Sequence, residues 1–502
     1  MKKKTSNKFW QQPIDRVAIA LMLALGVIIS FLVLVVEPTG PHVRDFSWSG
    51  KTIGANDTGF LMTFSRPMDR DSVENNLKID PFLPGKFSWA GLRMAYTLTY
   101  PAPYGAQYQV SLEGARERFQ EEDYQGKPLQ PFTGNFITRD RAIAYIGVEG
   151  DEIGRLVLFD LTKQQKSVLT PPNLVVTEFI PYPNREKILF AAADPTTEQE
   201  GLQEEKLYTV TTGINYQSSD KEINHDLAGK IELILDNQDY QNLKFDLSRD
   251  GKTIVVRRVN RNNPAEFGLW FIKENAEPQP LNNQPGGDFI IVPDSKSIAI
   301  AQGEGVAILP LEADAKPIDF LSQYGRVLAF SRDGRAAAMV NFNTQDPELR
   351  YQRSIYLVTN QGTEKKVLDT NGSILDCQFD PSATNLFCLL TDLTTETNLY
   401  IEQPYLAVIN LQTNQLIRLA KLPQQIDLQM SLAPDGLGIL LDRVIPNPDP
   451  SAPGGILRTN SGESIATSKL WLLLLSSPQS PDPATARLEE LPLPGWNPRW
   501  LP

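Results

Sequence analysis

The chain has 502 residues, 41% hydrophobic and 22% charged, with 38 Pro and 33 Gly, too long for one ordinary core and rich in turn formers, so two or three domains built of short strands are expected. Its net charge of −12 splits into +4 before residue 17 (Lys2, Lys3, Lys4, Lys8 and Arg16 against Asp15) and −16 thereafter, an acidic body that repels phosphate backbones and excludes nucleic acid as a partner. Only His42, His225, Cys377 and Cys388 are available for His or Cys chemistry, and without a CxxC, HExxH, GxSxG or phosphate-loop pattern a zinc site or a nucleophile–His pair has no footing.

In chain order, residues 1–16 form a basic tail and 17–36, VAIALMLALGVIISFLVLVV, carry no charge. Twenty helical residues span roughly 30 Å, the thickness of a bilayer's hydrocarbon. The basic flank places the N-terminus in the cytoplasm. The stretch exceeds an ordinary signal-peptide core and VVEPTGP offers no small-x-small cleavage site, which predicts an uncleaved signal anchor; a removed signal sequence is the alternative. Either way the body is exported: a single-pass protein of the bacterial cytoplasmic (inner) membrane, facing the periplasm or cell exterior.

Residues 41–139 show strand-like runs every 8–15 residues, GFLMTFS, NLKIDP, GKFSWAG, MAYTLTY, AQYQVSL and TGNFITR, broken by Pro, Gly and Asp. This spacing predicts an all-β sandwich. Met68 and Asp69 read as a turn closing a strand. The motif FSRPMDRDSV (64–73), with Gly85, Trp89, YPAPYGAQYQVSL (100–112) and GKPL (126–129), resembles the bacterial Ig-like domain of the surface-layer-protein (SbsA) type. ARERFQEEDYQG replaces that family's short acidic turn. The resemblance implies a spacer or adhesive module without catalysis.

Residues 140–502 repeat one hairpin, as in FDLSRDGKTIVV (245–256), LAFSRDGRAAAMV (328–340) and LQMSLAPDGLGILL (428–441). Its turn falls at Asn184, Asp250, Asp294, Asp333, Ser382 and Asp435, at intervals of 66, 44, 39, 49 and 53 residues. A third apolar run follows each (206–211, 268–273, 305–311, 354–359, 405–411, 469–475), and often a weaker fourth. Four strands per roughly 40–50 residues is the period of a β-propeller, and each marker residue reads as turn chemistry. The segments 142–148, 155–161 and 167–171 lack a first strand, which NPRWLP (497–502) supplies. Seven blades closed by the C-terminal strand are therefore expected, with six or eight as alternatives. The SRDGK hairpins followed by LW or LY strands resemble the WD40-like propellers of the TolB family and of prolyl oligopeptidases. Nothing comparable to the oligopeptidase hydrolase domain follows them.

Cys377 and Cys388 flank one hairpin symmetrically. An oxidising compartment permits a disulfide between them; otherwise they are two buried thiols. Long polar connections (194–205, 341–353, 392–403, 444–468) fall between second and third strands, on one face; 212–230, with His225, is the exception. That decorated face is expected to point away from the membrane and carry recognition, the plainer alternative being idle, disordered loops. The function expected is a membrane-anchored, non-catalytic binding or scaffold protein for an envelope protein or glycan, without cofactor or metal. A propeller-based hydrolase or lyase of envelope polymers is the alternative, needing only a carboxylate pair.

Overall fold

A strand covered on both faces must be apolar throughout, whereas one covered on a single face alternates. Both patterns order this protein. The structure, a computed structural model, describes residues 13–35, 40–118, 126–194, 205–214, 227–274, 276–281, 286–312, 317–396, 399–425, 427–447, 457–459, 461–475 and 486–502. Helix α1 (Pro13–Val35) holds the apolar stretch except Val36. Side chains are described for only part of it, and among the described residues no helix is long and apolar enough to cross a membrane.

The segment 41–139 forms two four-stranded sheets. Val43–Phe46, Gly59–Phe64, Arg93–Leu98 and Gly85–Ala90 make one; Thr52–Ile53, Phe132–Thr138, Gln107–Leu112 and Leu77–Asp80 make the other. Alternate residues of each, such as Phe60, Met62 and Phe64 against Tyr108, Val110 and Phe136, share one core. Residues Met68 and Asp69 depart from the expected turn: Met68 is buried, and Asp69 caps helix α2 (Arg70–Asn76), its carboxylate accepting a hydrogen bond from Ser72 N at 2.9 Å. An Asp that binds the first free amides starts a helix as readily as it closes a strand.

Seven further four-stranded antiparallel sheets follow among the described residues. From innermost to outermost strand, the first is Gly495–Trp500, Ala142–Gly147, Leu156–Asp160 and Gln165–Val168. The second is Val175–Pro181, Lys187–Ala193, Lys206–Thr211 and Ile231–Leu235. The third is Tyr240–Leu247, Thr253–Asn260, Phe267–Lys273 and Gln279–Pro280. The fourth is Phe289–Ile291, Ser297–Gln302, Gly305–Pro310 and Asp319–Leu321. The fifth is Arg326–Phe330, Ala336–Asn341, Arg353–Thr359 and Glu364–Thr370. The sixth is Ile374–Phe379, Asn385–Glu396, Leu399–Asn410 and Leu416–Lys421. The seventh is Met430–Leu432, Gly438–Pro446, Ile465–Leu474 and Arg487–Glu490.

Second strands lie between neighbouring sheets and are apolar on both sides; every residue of Ala142–Gly147 is buried. Outermost strands meet solvent, and every residue of Gln165–Val168 is exposed. Apolar clusters join consecutive sheets, for instance Leu189 with Phe245 and Leu269 with Phe289. The last cluster unites Leu440 and Leu472 of the seventh sheet with Tyr145 and Trp500 of the first. The innermost strands of the third to seventh sheets, then of the first and second, touch in succession. The result is an all-β, propeller-like fold.

Candidate functional site: the axis and its two ends

The hairpin turns build one end of the axis. In the third sheet the Ser248 hydroxyl donates to Asp250 Oδ1 at 2.6 Å, which also accepts from Lys252 N, while Thr253 N donates to Ser248 Oγ at 2.8 Å. Ser331 and Asp333 repeat this in the fifth sheet. The residue after each of the six marker positions has positive φ: Arg185, Gly251, Ser295, Gly334, Ala383 and Gly436. The repeated motif is thus a set of amides gathered by a short polar side chain around one left-handed residue.

Asp435 does more than close its turn. Its Oδ1 accepts from Leu437 N at 3.0 Å, while Oδ2 accepts from Tyr104 N at 3.0 Å and from Arg141 Nη2 at 3.3 Å. The Tyr104 hydroxyl accepts from Ala55 N at 2.8 Å and so positions the loop that carries Asn56. Asn56 Oδ1 in turn meets Arg249 Nη2 at 3.5 Å and Arg332 Nε at 3.1 Å. Desolvation, then the adjacent Arg249 charge, pushes the Arg332 guanidinium down to about 10. On the remaining side Arg139 Nη1 donates to the Pro183 and Pro502 carbonyl oxygens at 3.3 and 3.0 Å. Arg185, 1% exposed, lies 5.1 Å from the Tyr104 ring and donates to Asp140 O and Leu501 O. These partners come from the hairpin turns of the second, third, fifth and seventh sheets and from the tail, so the sandwich sits over the axis.

Along the axis, bulges interrupt five innermost strands, and the residues that resume the pairing are Glu178, Lys244, Ala329, Asp376 and Arg499. A bulge re-aims the side chain beside it. Arg499 Nη2 donates to Glu178 Oε1 at 2.6 Å, linking first and second sheets. Asp288 binds Lys244 and lies 3.7 Å from Arg326 Nε, tying three sheets together. Burial opposes its ionisation, but the Lys244 charge and hydrogen bond hold its carboxyl below the usual range. Asp246 accepts from Ile291 N and Leu247 N, both at 2.8 Å. Asp376 accepts from Gln378 Nε2, which also donates to Met430 O of the next sheet, both at 2.9 Å. Burial pushes Asp246 and Asp376 up, and the Arg499 charge reaches both. Most of these polar groups bridge the unpaired edges of neighbouring inner strands. Their chemistry is that of stitches, with Asp246 and Asp376 the two acids best placed for anything more.

The other end carries the second-to-third connections. Residues 195–204, 397–398, 448–456 and 460 lie outside the described residues, as does His225. What is described of 444–468 departs from an idle loop: Val444, Leu457 and Ile465 are buried with Val148, Val176 and Trp496, and Ser461 N donates to Asp427 Oδ2 at 2.9 Å. Periodicity missed this because the burial partners are distant in sequence. Phe342, Tyr351, Leu393, Tyr400 and Ile445 are exposed on the same end. Cys377 and Cys388 are paired across the first two strands of the sixth sheet and joined as a disulfide, both fully buried, away from either end of the axis. His42 donates its backbone N–H to Ser65 Oγ in the sandwich. Among the described residues no cluster of His, Cys, Asp or Glu could hold a metal.

No family model and no curated protein matches the chain. Solved structures similar to it include TolB from Acinetobacter baumannii, 12% identical over 72% of this chain and 67% of that one, TM-score 0.37. A candidate 6-phosphogluconolactonase from Bacteroides uniformis is 10% identical over 72% and 99%, TM-score 0.41. One of two prolyl endopeptidases is 13% identical over 72% and 57%, TM-score 0.38. At these scores the likenesses carry neither activity nor partner to this chain, and the fold rests on its own sheets.

Proposed function

We propose that the chain is a membrane-anchored extracytoplasmic binding or scaffold protein. Its apolar helix anchors it in the bacterial cytoplasmic membrane with the N-terminus inside. Its sandwich is an Ig-like support, and its seven sheets are the blades of a propeller latched by its own C-terminal strand. The face opposite the sandwich recognises an envelope protein or glycan. One observation carries this: the sandwich covers the hairpin-turn end through Asn56, Tyr104 and Arg139, while the opposite end presents exposed Tyr351 and Tyr400. Exposed apolar side chains gathered on one face mark an interaction surface. Affinity capture from detergent-solubilised membranes with the tagged full chain is expected to retain a protein or glycan. Tyr351→Arg should weaken that capture and Phe82→Arg, on the sandwich, should not; an empty eluate from the wild type refutes the proposal.

A second reading, a hydrolase or lyase of envelope polymers, is favoured by Asp246 and Asp376 of the innermost strands, whose carboxyls burial pushes up against the opposing Arg499 charge. It requires that the wild type degrade a cell-wall or polysaccharide preparation and that Asp246→Asn abolish this. Absence of turnover by the wild type removes it.

A further inference from the structure

The second and third strands of the sixth sheet run well past their neighbours. Pairing with the innermost strand stops at Ile374 opposite Leu390, and pairing with the outermost stops at Lys421 opposite Tyr405. Beyond these, Thr391 N still donates to Ser373 O and Leu422 N to Pro404 O, both at 3.0 Å, after which Asp392–Glu396 pairs only with Leu399–Gln403. Two strands therefore project as a ribbon about 14 Å past their sheet, at roughly 3.4 Å per residue. Each of its outer edges offers backbone N–H and C=O groups to any strand laid beside it, and a two-stranded ribbon is marginal on its own. Leu393 and Tyr400 are exposed on it, 41% and 75%. Pro404 marks where the third strand parts from its sheet, and Gln403 Nε2 donates to Leu422 O at 2.6 Å, fixing the root.

Charge narrows the occupant. The paired residues 392–396 and 399–403 include Asp392, Glu396 and Glu402 and no lysine or arginine. Arg418, bound to Asp392 at 2.6 and 2.8 Å, comes from the outermost strand. Glu402 is exposed and is held by the hydroxyls of Ser373 and Thr391 at 2.8 and 3.2 Å. A second copy pairing ribbon to ribbon would set acids against acids, which is unfavourable across strands.

We infer that this ribbon is a strand-addition site for an extended basic segment of a partner protein, with Lys or Arg alternating with apolar residues. Backbone pairing supplies affinity and the alternate side chains supply selectivity. The inference rests on the binding-platform proposal and specifies its partner class.

Fluorescence anisotropy with the full chain in detergent tests it with three seven-residue probes: alternating Lys and Val; the same with Glu for Lys; and the same with Pro for Val, which keeps the charge but cannot add as a strand. The Lys/Val probe is expected to bind at least tenfold tighter than either of the others. Tyr400→Ser should weaken it at least threefold, and Glu402→Lys should transfer the preference to the Glu/Val probe, with thermal midpoints within a few degrees of wild type. Equal binding of the Lys/Val and Lys/Pro probes reduces the effect to bulk charge and overturns the inference, as does self-association abolished by Leu393→Ser. If membrane capture succeeds and strand selectivity fails, the platform stands and the ribbon assignment falls. If capture itself fails, the platform falls.

Discussion

Asp442 lies wholly inside the seventh sheet and accepts hydrogen bonds from Gln429 N at 2.9 Å and from Asn497 N at 3.0 Å. Asn497 stands at positive φ within the bulge of the tail strand, so this carboxyl fastens the tail to the neighbouring sheet. Burial pushes Asp442 up to about 7, and burial likewise raises Glu205 to about 7 against an opposing hydrogen bond from Thr177. Both folded values exceed the unfolded carboxyl value of about 4. The folded state therefore holds the extra protons, and the stabilisation is complete below about pH 4 and lost as pH rises through about 7. Over the window from pH 5.5 to 8 the thermal midpoint is expected to fall. Asp442→Asn should cost about 1–3 kcal/mol at pH 5.5, because one amide loses its acceptor, and should flatten the decline. An unaltered pH slope in the variant would show that Asp442 does not govern it.

At the scale of elements, the hairpin turns serve twice. They join the first two strands of the second to seventh sheets, and several of them also hold the sandwich. Asp435 is the clearest case, since one oxygen satisfies its own turn and the other binds Tyr104 N and Arg141. Asp435→Ala leaves both donors without that acceptor, at roughly 1.5–3 kcal/mol per hydrogen bond to a charged group. The sandwich should loosen while the sheets persist. Limited trypsinolysis is expected to cut faster at Arg139 or Arg141 with the strand content measured by circular dichroism unchanged; equal cleavage rates would deny Asp435 its docking role.

For the whole molecule, the decisive feature is the tail. Gly495–Trp500 pairs with Ala142–Gly147, uniting strands from opposite ends of the 140–502 segment. Trp496, Trp500 and Leu501 are 2%, 8% and 0% exposed. At about 1.5–3 kcal/mol per large buried side chain, removing residues 496–502 forfeits on the order of 5–9 kcal/mol, comparable to the net stability of a domain. Differential scanning calorimetry of the truncated chain should show a transition far lower than wild type, with protease sensitivity spreading through the first sheet. A truncated chain as stable as the parent is incompatible with a tail-closed ring.

Local chemistry was readable from the residues themselves. A turn such as SRDG forms because Ser and Asp bind amides two to five positions away and Gly accepts positive φ, all within one short segment. Continuous apolar runs announced second strands such as Ala142–Gly147 for the same reason: one strand buried on both faces needs no distant information. The outer strand Gln165–Val168, wholly exposed, left a weaker pattern, and the expected 167–171 meets it only at Ser167 and Val168. Tertiary structure alone decided what depends on partners hundreds of residues apart: Asp435 beside Tyr104, Arg499 on Glu178, and Leu457 buried with Trp496. Strand formation follows from a side chain's nearest neighbours in the chain, but the meeting of two turns or two charges follows from ring closure, a constraint that no single segment encodes.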